Sequence, residues 1–277
     1  MRKIVSENHQ PLVIAHRGAS AFAPENTLAA FRLAIAMDVQ GIELDVQLSA
    51  DGIPVVMHDR TINRTTNRRG RVANFTAAEL CELNAGYGFT RQLALRPRKR
   101  KIVETTLNDL NFQIDFSDEG VVKLADALSL LAPARLPRIY VEIKGEPATK
   151  KRLLETTIAD VRSYKLEKVI TLLSFDHQII AEAKRLAPEI RTAATFATLV
   201  HRLPTRRSII KTIRHIKADE AALQYSLATR RLVKSLHEQH IAVSVWTANR
   251  KMVLRKMMAS GVDAIMTNYP NRLIELL

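Results

Sequence analysis

The sequence predicts an α/β fold, a (β/α)₈ barrel with a small insertion after its second barrel strand, and three observations carry that prediction. Eight short apolar runs, beginning at Leu12, Gly41, Ile139, Val169, Ile190, Ile213, Ile241 and Ala264, mostly alternate with amphipathic helical stretches. Ionisable side chains gather in or just after several runs: His16 and Arg17 after the first, Glu43 and Asp45 within the second, Glu142 and Lys144 at the third. A doubly wound sheet, the rival arrangement, needs a glycine-rich phosphate turn after the first strand, and His16-Arg17-Gly18 offers one glycine and two bulky polar side chains. With 277 residues, 47% of them hydrophobic, the chain can bury a large core and is read as a single domain over 1–277.

Leu12 to Ala15 reads as the first strand. Pro24-Glu25-Asn26-Thr27 opens a helix to about Met37, with Asn26 as its cap and Leu28, Phe31, Leu33 and Ile35 as its apolar surface. Gly41 to Val46 is the second strand. Pro54 to Met57 folds back on it through Ser49-Ala50-Asp51-Gly52, where Asp-Gly marks a tight turn. Residues 59–120 break the alternation and read as an insertion on the C-terminal rim. It holds a polar turn at Thr65 to Gly70, a short helix Thr76 to Leu83 with Thr76 as cap and Glu79 three residues on, and a basic stretch expected to be a solvated loop. Helices then follow at Val122 to Leu131, Lys150 to Tyr164, Gln178 to Leu186, Thr229 to Gln239 and Lys251 to Ser260, with a weaker one at Arg206 to Thr212. Between them lie strands at Ile139 to Ile143, Val169 to Leu173, Ile190 to Ala194, Ile213 to Ala218, Ile241 to Val245 and Ala264 to Met266.

The formal charge of +14 raises nucleic acid as a partner, but the cations are spread thinly apart from Arg96, Arg98, Lys99, Arg100 and Lys101, and Arg202, Arg206, Arg207, Lys211 and Arg214. No nucleic acid is expected. Met1 to Pro11 holds polar residues where a signal peptide needs an apolar stretch, and no run approaches the roughly 20 residues that span a bilayer. Cys81 is alone, which excludes an internal disulfide and a thiolate metal cluster; it is read as a small buried side chain. The expected compartment is cytoplasmic.

Glu43 and Asp45 are two apart on a strand, so both project to one face, the barrel interior near the rim, and Glu142 repeats the arrangement with Lys144. Three carboxylates without cysteine suit a hard divalent cation, Mg²⁺ or Ca²⁺, as cofactor. Two salt bridges, Glu43 with Arg17 and Glu142 with Lys144, are the alternative. His16 and His58 end neighbouring strands and can divide acid and base work on a phosphate, with Arg17 as a bidentate fork and Lys144 as a point charge on the same anion. The set matches a phosphodiester and needs no redox cofactor.

These residues resemble the glycerophosphodiester phosphodiesterases. The similar segments are His16-Arg17-Gly18, Pro24-Glu25-Asn26-Thr27, Gly41 to Val46, Asp51-Gly52, His58-Asp59 and Arg64-Thr65-Thr66. They continue with Val141-Glu142-Ile143-Lys144, Ser174-Phe175, Trp246 to Asn249 and Thr267-Asn268-Tyr269-Pro270. The ordered set spans almost the whole chain. It implies a TIM barrel that hydrolyses glycerophosphodiesters, such as glycerophosphocholine or glycerophosphoethanolamine, to sn-glycerol 3-phosphate and an alcohol. By the same resemblance His16 is the general acid and His58 the general base, and Glu43, Asp45 and Glu142 bind metal. Arg17 and Lys144 hold the phosphate, with Phe175 and Trp246 beside the glycerol or alcohol. Direct attack by water and passage through a cyclic phosphate both remain open. The basic insertion departs from the family pattern and suggests peripheral contact with anionic lipid, hence lysophospholipase D activity as the alternative. A non-enzymatic anionic-ligand binding module is the third reading.

Overall fold

The protein is described by a computed structural model for residues 10–112, 115–198 and 204–277. Strands β1 (Leu12–His16) and β2 (Gly41–Leu48) are followed by two short strands, β3 (Pro54–Val56) and β4 (Val122–Lys123). Then come β5 (Arg138–Ile143), β6 (Ile170–Ser174), β7 (Arg191–Phe196), β8 (Glu220–Gln224), β9 (Ala242–Trp246) and β10 (Ala264–Thr267). The order β1-β10-β9-β8-β7-β6-β5-β2, with β1 pairing back on β2, closes an eight-stranded parallel barrel. β3 and β4 lie outside this ring, as an antiparallel extension from β2.

Strand alternation builds two packed layers. Val13, Ala15, Ile42, Leu44, Val46, Val141 and Ile143 face outward against helices, while Ile14, Tyr140, Leu173, Ala193, Ala222 and Met266 fill the interior. The outer layer includes α1 (Leu28–Ala36), α5 (Leu124–Leu131), α6 (Lys150–Ser163), α7 (His177–Leu186), α8 (Arg206–Ile216), α9 (Arg230–His237), α10 (Lys251–Ser260) and α11 (Pro270–Ile274). Between β3 and β4 run α2 (Ala77–Cys81), α3 (Tyr87–Ala94) and α4 (Pro97–Asp109). The α2 start is as expected: Thr76 Oγ1 accepts from Glu79 N and the Glu79 carboxylate accepts from Thr76 N, a reciprocal cap.

Four expectations are corrected. Ile213 to Ala218 is not a strand; α8 continues to Ile216 and buries Ile209, Ile213 and Ile216, spaced four and three residues apart as one helix face. Lys217 then takes a left-handed conformation that ends the helix, and the sixth barrel strand is β8, starting at Glu220. The basic stretch is not a loop, because Pro97 starts a helix whose Val103 and Leu107, four apart, join the main core. The cap of α1 is Thr27 rather than Asn26, and Cys81 is half-buried rather than buried. Most of Met1 to Pro11, and Arg202, lie outside the described residues. Among the described residues no helix is long and apolar enough to cross a membrane.

Candidate active site

β1 delivers His16 to the C-terminal rim, and the chain turns at once through Arg17 (φ 58°) and Gly18 (φ 76°), both left-handed. Only glycine suits the second position, since a Cβ there would stand 2.6 Å from the backbone carbonyl carbon of Ala30. The turn aims the Arg17 N–H at Glu43 Oε2 (2.9 Å) and its guanidinium at Glu25 Oε1 (2.8 Å) and Asp45 Oδ2 (3.2 Å). Asn26, left-handed as well (φ 59°), donates its side-chain amide to Asp45 Oδ2 at 2.9 Å. Two non-glycine residues in this sparsely populated region, both touching one carboxylate, show how closely the loop is shaped to it.

The parallel register sets Asp45 of β2 beside Glu142 of β5. Glu43, Asp45 and Glu142 are 1, 0 and 8% exposed, and one carboxylate oxygen from each lies within 4.8 Å of the others. Burial raises Glu43 well above the usual carboxylate range, with the Asp45 charge adding to it. Burial also raises Glu142 to about 7, against the pull of Lys144. Asp45 goes the other way: despite its burial, Arg17 and Lys144 hold it well below its ordinary value. The Lys144 ammonium stands 2.7 Å from Glu142 Oε1 and 3.3 Å from Asp45 Oδ1, yet neither oxygen receives an aligned hydrogen bond among the described residues. Buried, mutually repelling, all-oxygen and partly unsatisfied, this trio fits a hard divalent cation. The expected Glu142–Lys144 contact is present, whereas Glu43 meets the backbone N–H of Arg17 and not its guanidinium.

His16 Nδ1 faces Asn268 Oδ1 at 2.7 Å and His58 Nδ1 faces Asp59 Oδ1 at 2.6 Å. Both partners are acceptors, so each ring carries its hydrogen on Nδ1 and keeps Nε2 free, that of His16 lying 3.9 Å from Glu43 Oε2. Burial, with Arg17 nearby, lowers His16 to about 4; burial also lowers His58, against the influence of Asp45. Behind His58, Arg64 Nε donates to Asp59 Oδ2 (2.6 Å), and the two Arg64 Nη atoms donate to the Glu25 carboxylate (2.7 Å each). The Gln47 amide fixes the backbone carbonyls of His58 and Asp59.

A cavity of ≈ 90 Å³ is lined by His16, Arg17, Glu43, His58, Glu142 and Lys144, with Phe175 and Trp246 on its wall; Asp45 lies beneath it, 0% exposed. Phe175 and Trp246 meet edge to face at 5.4 Å, and the Trp246 Nε1–H donates to Ala222 O. Larger hollows, such as one of ≈ 730 Å³ between α8 and α9, gather no such carboxylate trio. All nine residues singled out in the sequence therefore converge. Asn268, Asp59, Arg64 and Glu25 were not assigned their supporting contacts. Asp59 follows His58 directly and Asn268 follows the last barrel strand, so position at the rim was the available signal; Arg64 was marked only by its place in the family-like segment Arg64-Thr65-Thr66. Asn249 accepts from Asn268 N at 2.9 Å and ties the last two barrel loops together.

Residues 16–272 match the model of the Glycerophosphoryl diester phosphodiesterase family. A glycerophosphodiester phosphodiesterase of Caldanaerobacter subterraneus subsp. tengcongensis is 31% identical over 266 residues, 96% of this chain and 97% of that protein. The crystal structure of a glycerophosphodiester phosphodiesterase from Agrobacterium tumefaciens str. C58 is 26% identical, with a TM-score of 0.74 over 96% of this chain and 100% of that one. A phosphodiesterase from Oleispira antarctica, solved in complex with the product sn-glycerol-3-phosphate, shares the fold with a TM-score of 0.80 at 24% identity, over 96% of each chain. The match over residues 16–272, together with a relative 31% identical over 96% of this chain, places the chain in the Glycerophosphoryl diester phosphodiesterase family.

Proposed function

We propose that this enzyme hydrolyses glycerophosphodiesters such as glycerophosphocholine and glycerophosphoethanolamine to sn-glycerol 3-phosphate and an alcohol, with Mg²⁺ or Ca²⁺ held by Glu43, Asp45 and Glu142. The observation that carries the reading is the convergence of that buried trio with two histidines, oriented through Nδ1, on one cavity. When bound, the cation would neutralise phosphoryl charge. Arg17 and Lys144 hold the phosphate oxygens, and the anion offsets the cationic surroundings that help keep His16 neutral. His58 Nε2 takes a proton from the attacking water as the water oxygen bonds to phosphorus and the bond between phosphorus and the alcohol oxygen breaks; His16, which takes up a proton on Nε2 beside the bound anion, passes that proton to the departing alcohol. Phe175 and Trp246 form the wall beside the alcohol. Residues 59–120 act as an insertion over the rim. The proposed compartment is the cytoplasm, in keeping with Cys81 as a free thiol.

The test is turnover of both glycerophosphodiesters by the purified protein, before and after chelation and with each cation restored. Absence of glycerol 3-phosphate under every condition would refute the reading. A second reading, hydrolysis of lysophospholipids, is favoured by Phe175, which is 47% exposed beside the cavity and offers an apolar contact to an acyl chain. Preference for acylated over deacylated substrate distinguishes it.

A further inference from the structure

We propose that the catalytic rim docks on an anionic lipid surface, through the α3–α4 corner and the basic first turns of α6, α8, α9 and α10. Each outer helix follows its strand, so the helix N-termini ring the same end of the barrel as the cavity. Helix dipoles favour acidic side chains there and disfavour basic ones. Yet α6 opens Lys150-Lys151-Arg152, α8 Arg206-Arg207 and α9 Arg230-Arg231, with no acidic residue in the first turn of any of them. α10 opens Arg250-Lys251, again without an acid. Lys150, Lys151 and Lys251 pair with Asp176, Glu182 and Glu275, whereas the exposed Arg207, Arg230 and Arg231 make no ion pair among the described residues, so the cations that an anionic surface would meet are chiefly those opening α8 and α9.

The insertion adds an apolar element. α3 is anchored at the site, since Gly88 N donates to Thr65 O at 3.0 Å, one residue from Arg64. Over its length of about 12 Å α3 runs to a corner at Leu95, where the chain turns into α4. Residues 91–103 hold six basic residues and no acidic one. Within them Leu95 is 74% and Ile102 54% exposed, although Val103 beside them is buried. Met252, next to Lys251 at the start of α10, is 76% exposed. Aliphatic side chains flanked by cations match an interface where hydrocarbon lies beneath phosphates. A nucleic-acid duplex offers phosphates without an apolar layer, so the observations favour lipid.

Docking would bring phosphodiester headgroups to the cavity mouth. That consequence rests on the hydrolase reading, while the docking itself does not. The test is sedimentation of the full chain with vesicles of phosphatidylcholine alone and with about one third phosphatidylglycerol. Binding is expected to be at least about tenfold tighter to the anionic vesicles and to fall with salt. Leu95→Asp, and separately Arg98→Glu with Lys101→Glu, should each weaken it about tenfold or more and leave turnover of soluble glycerophosphocholine unchanged. These positions are exposed, and a thermal melt confirms folding. Equal binding to both vesicles, or unchanged binding in both variants, overturns the proposal. Salt-sensitive retention on a DNA duplex without vesicle binding overturns it in favour of nucleic acid. Vesicle binding that persists while no glycerophosphodiester is turned over supports the docking surface and removes only the hydrolase reading.

Discussion

His58 is held by a carboxylate that is itself held, because Asp59 lies between the His58 ring and Arg64, and Arg64 reaches on to Glu25 and thence to Arg17. His16→Ala or His58→Ala should reduce kcat by about a hundredfold or more with KM changed only a few-fold, measured on glycerophosphocholine. Arg64→Ala should reduce kcat about tenfold, and Arg64→Lys should not restore it, since an ammonium cannot bridge two carboxylates as a guanidinium fork does. The carboxylates give a prediction with a definite sign. Glu142, raised from 4.5 to about 7, carries no penalty below its ordinary value, a growing one as pH climbs from there toward about 7, and the full one above it. A shift of that size corresponds to about 3 kcal/mol of lost stability in the metal-free protein at alkaline pH. A divalent cation relieves that repulsion and displaces the protons, so Mg²⁺ or Ca²⁺ should raise Tm more near pH 8 than near pH 6. Equal shifts in calorimetry at the two values would remove the proposed trio as the cation site. At this scale the sequence made seven polar residues of the candidate site legible, because strand ends put polar groups on a shared rim, while Phe175 and Trp246 came only from the family resemblance. The left-handed backbone at Arg17 and Asn26 was not legible, since no local rule prefers it for arginine.

The β1–α1 turn is the element on which the most site geometry hangs. Gly18→Ala would combine a φ of 76° with a Cβ set against the backbone of Ala30, so a loss of about 2 kcal/mol or more is expected in urea unfolding, with a fall in kcat/KM as Arg17 shifts. By contrast Thr76→Ala removes the reciprocal cap of α2 and should cost about 1 kcal/mol with turnover kept. Elements with a clean period or a strong cap were legible: α10 occupies Lys251–Ser260 as expected, and the α2 cap is where Thr76 and Glu79 put it. α8 and β8 were not. Ile213 and Ile216 ended one helix face, but a short apolar window fits strand and helix alike, and only packing against the barrel separates them.

Across the whole barrel, Tyr140 of β5 donates its hydroxyl to Glu220 of β8 at 2.9 Å, and Arg191 of β7 approaches Glu220 at 3.6 Å. Glu220 is 3% exposed and sits at the start of its strand, away from the catalytic rim. Tyr140→Phe should therefore lower stability by about 1–3 kcal/mol in urea unfolding and leave turnover unchanged. A parallel loss of activity would show that the two ends of the barrel are coupled. The sequence by itself determined the alternation of strands and helices except at the sixth strand, and with it the barrel class and the residue types on its rim, because side-chain periodicity is written locally. It also contained the carboxylate pair of β2, since residues two apart on a strand share a face. Only the tertiary structure decided that Glu142 stands beside Asp45, that Asn268 and Asp59 orient the two histidines, and that Arg64 links Asp59 to Glu25. Those contacts join distant parts of the chain, and their geometry is set by strand register and loop packing, which no local pattern encodes.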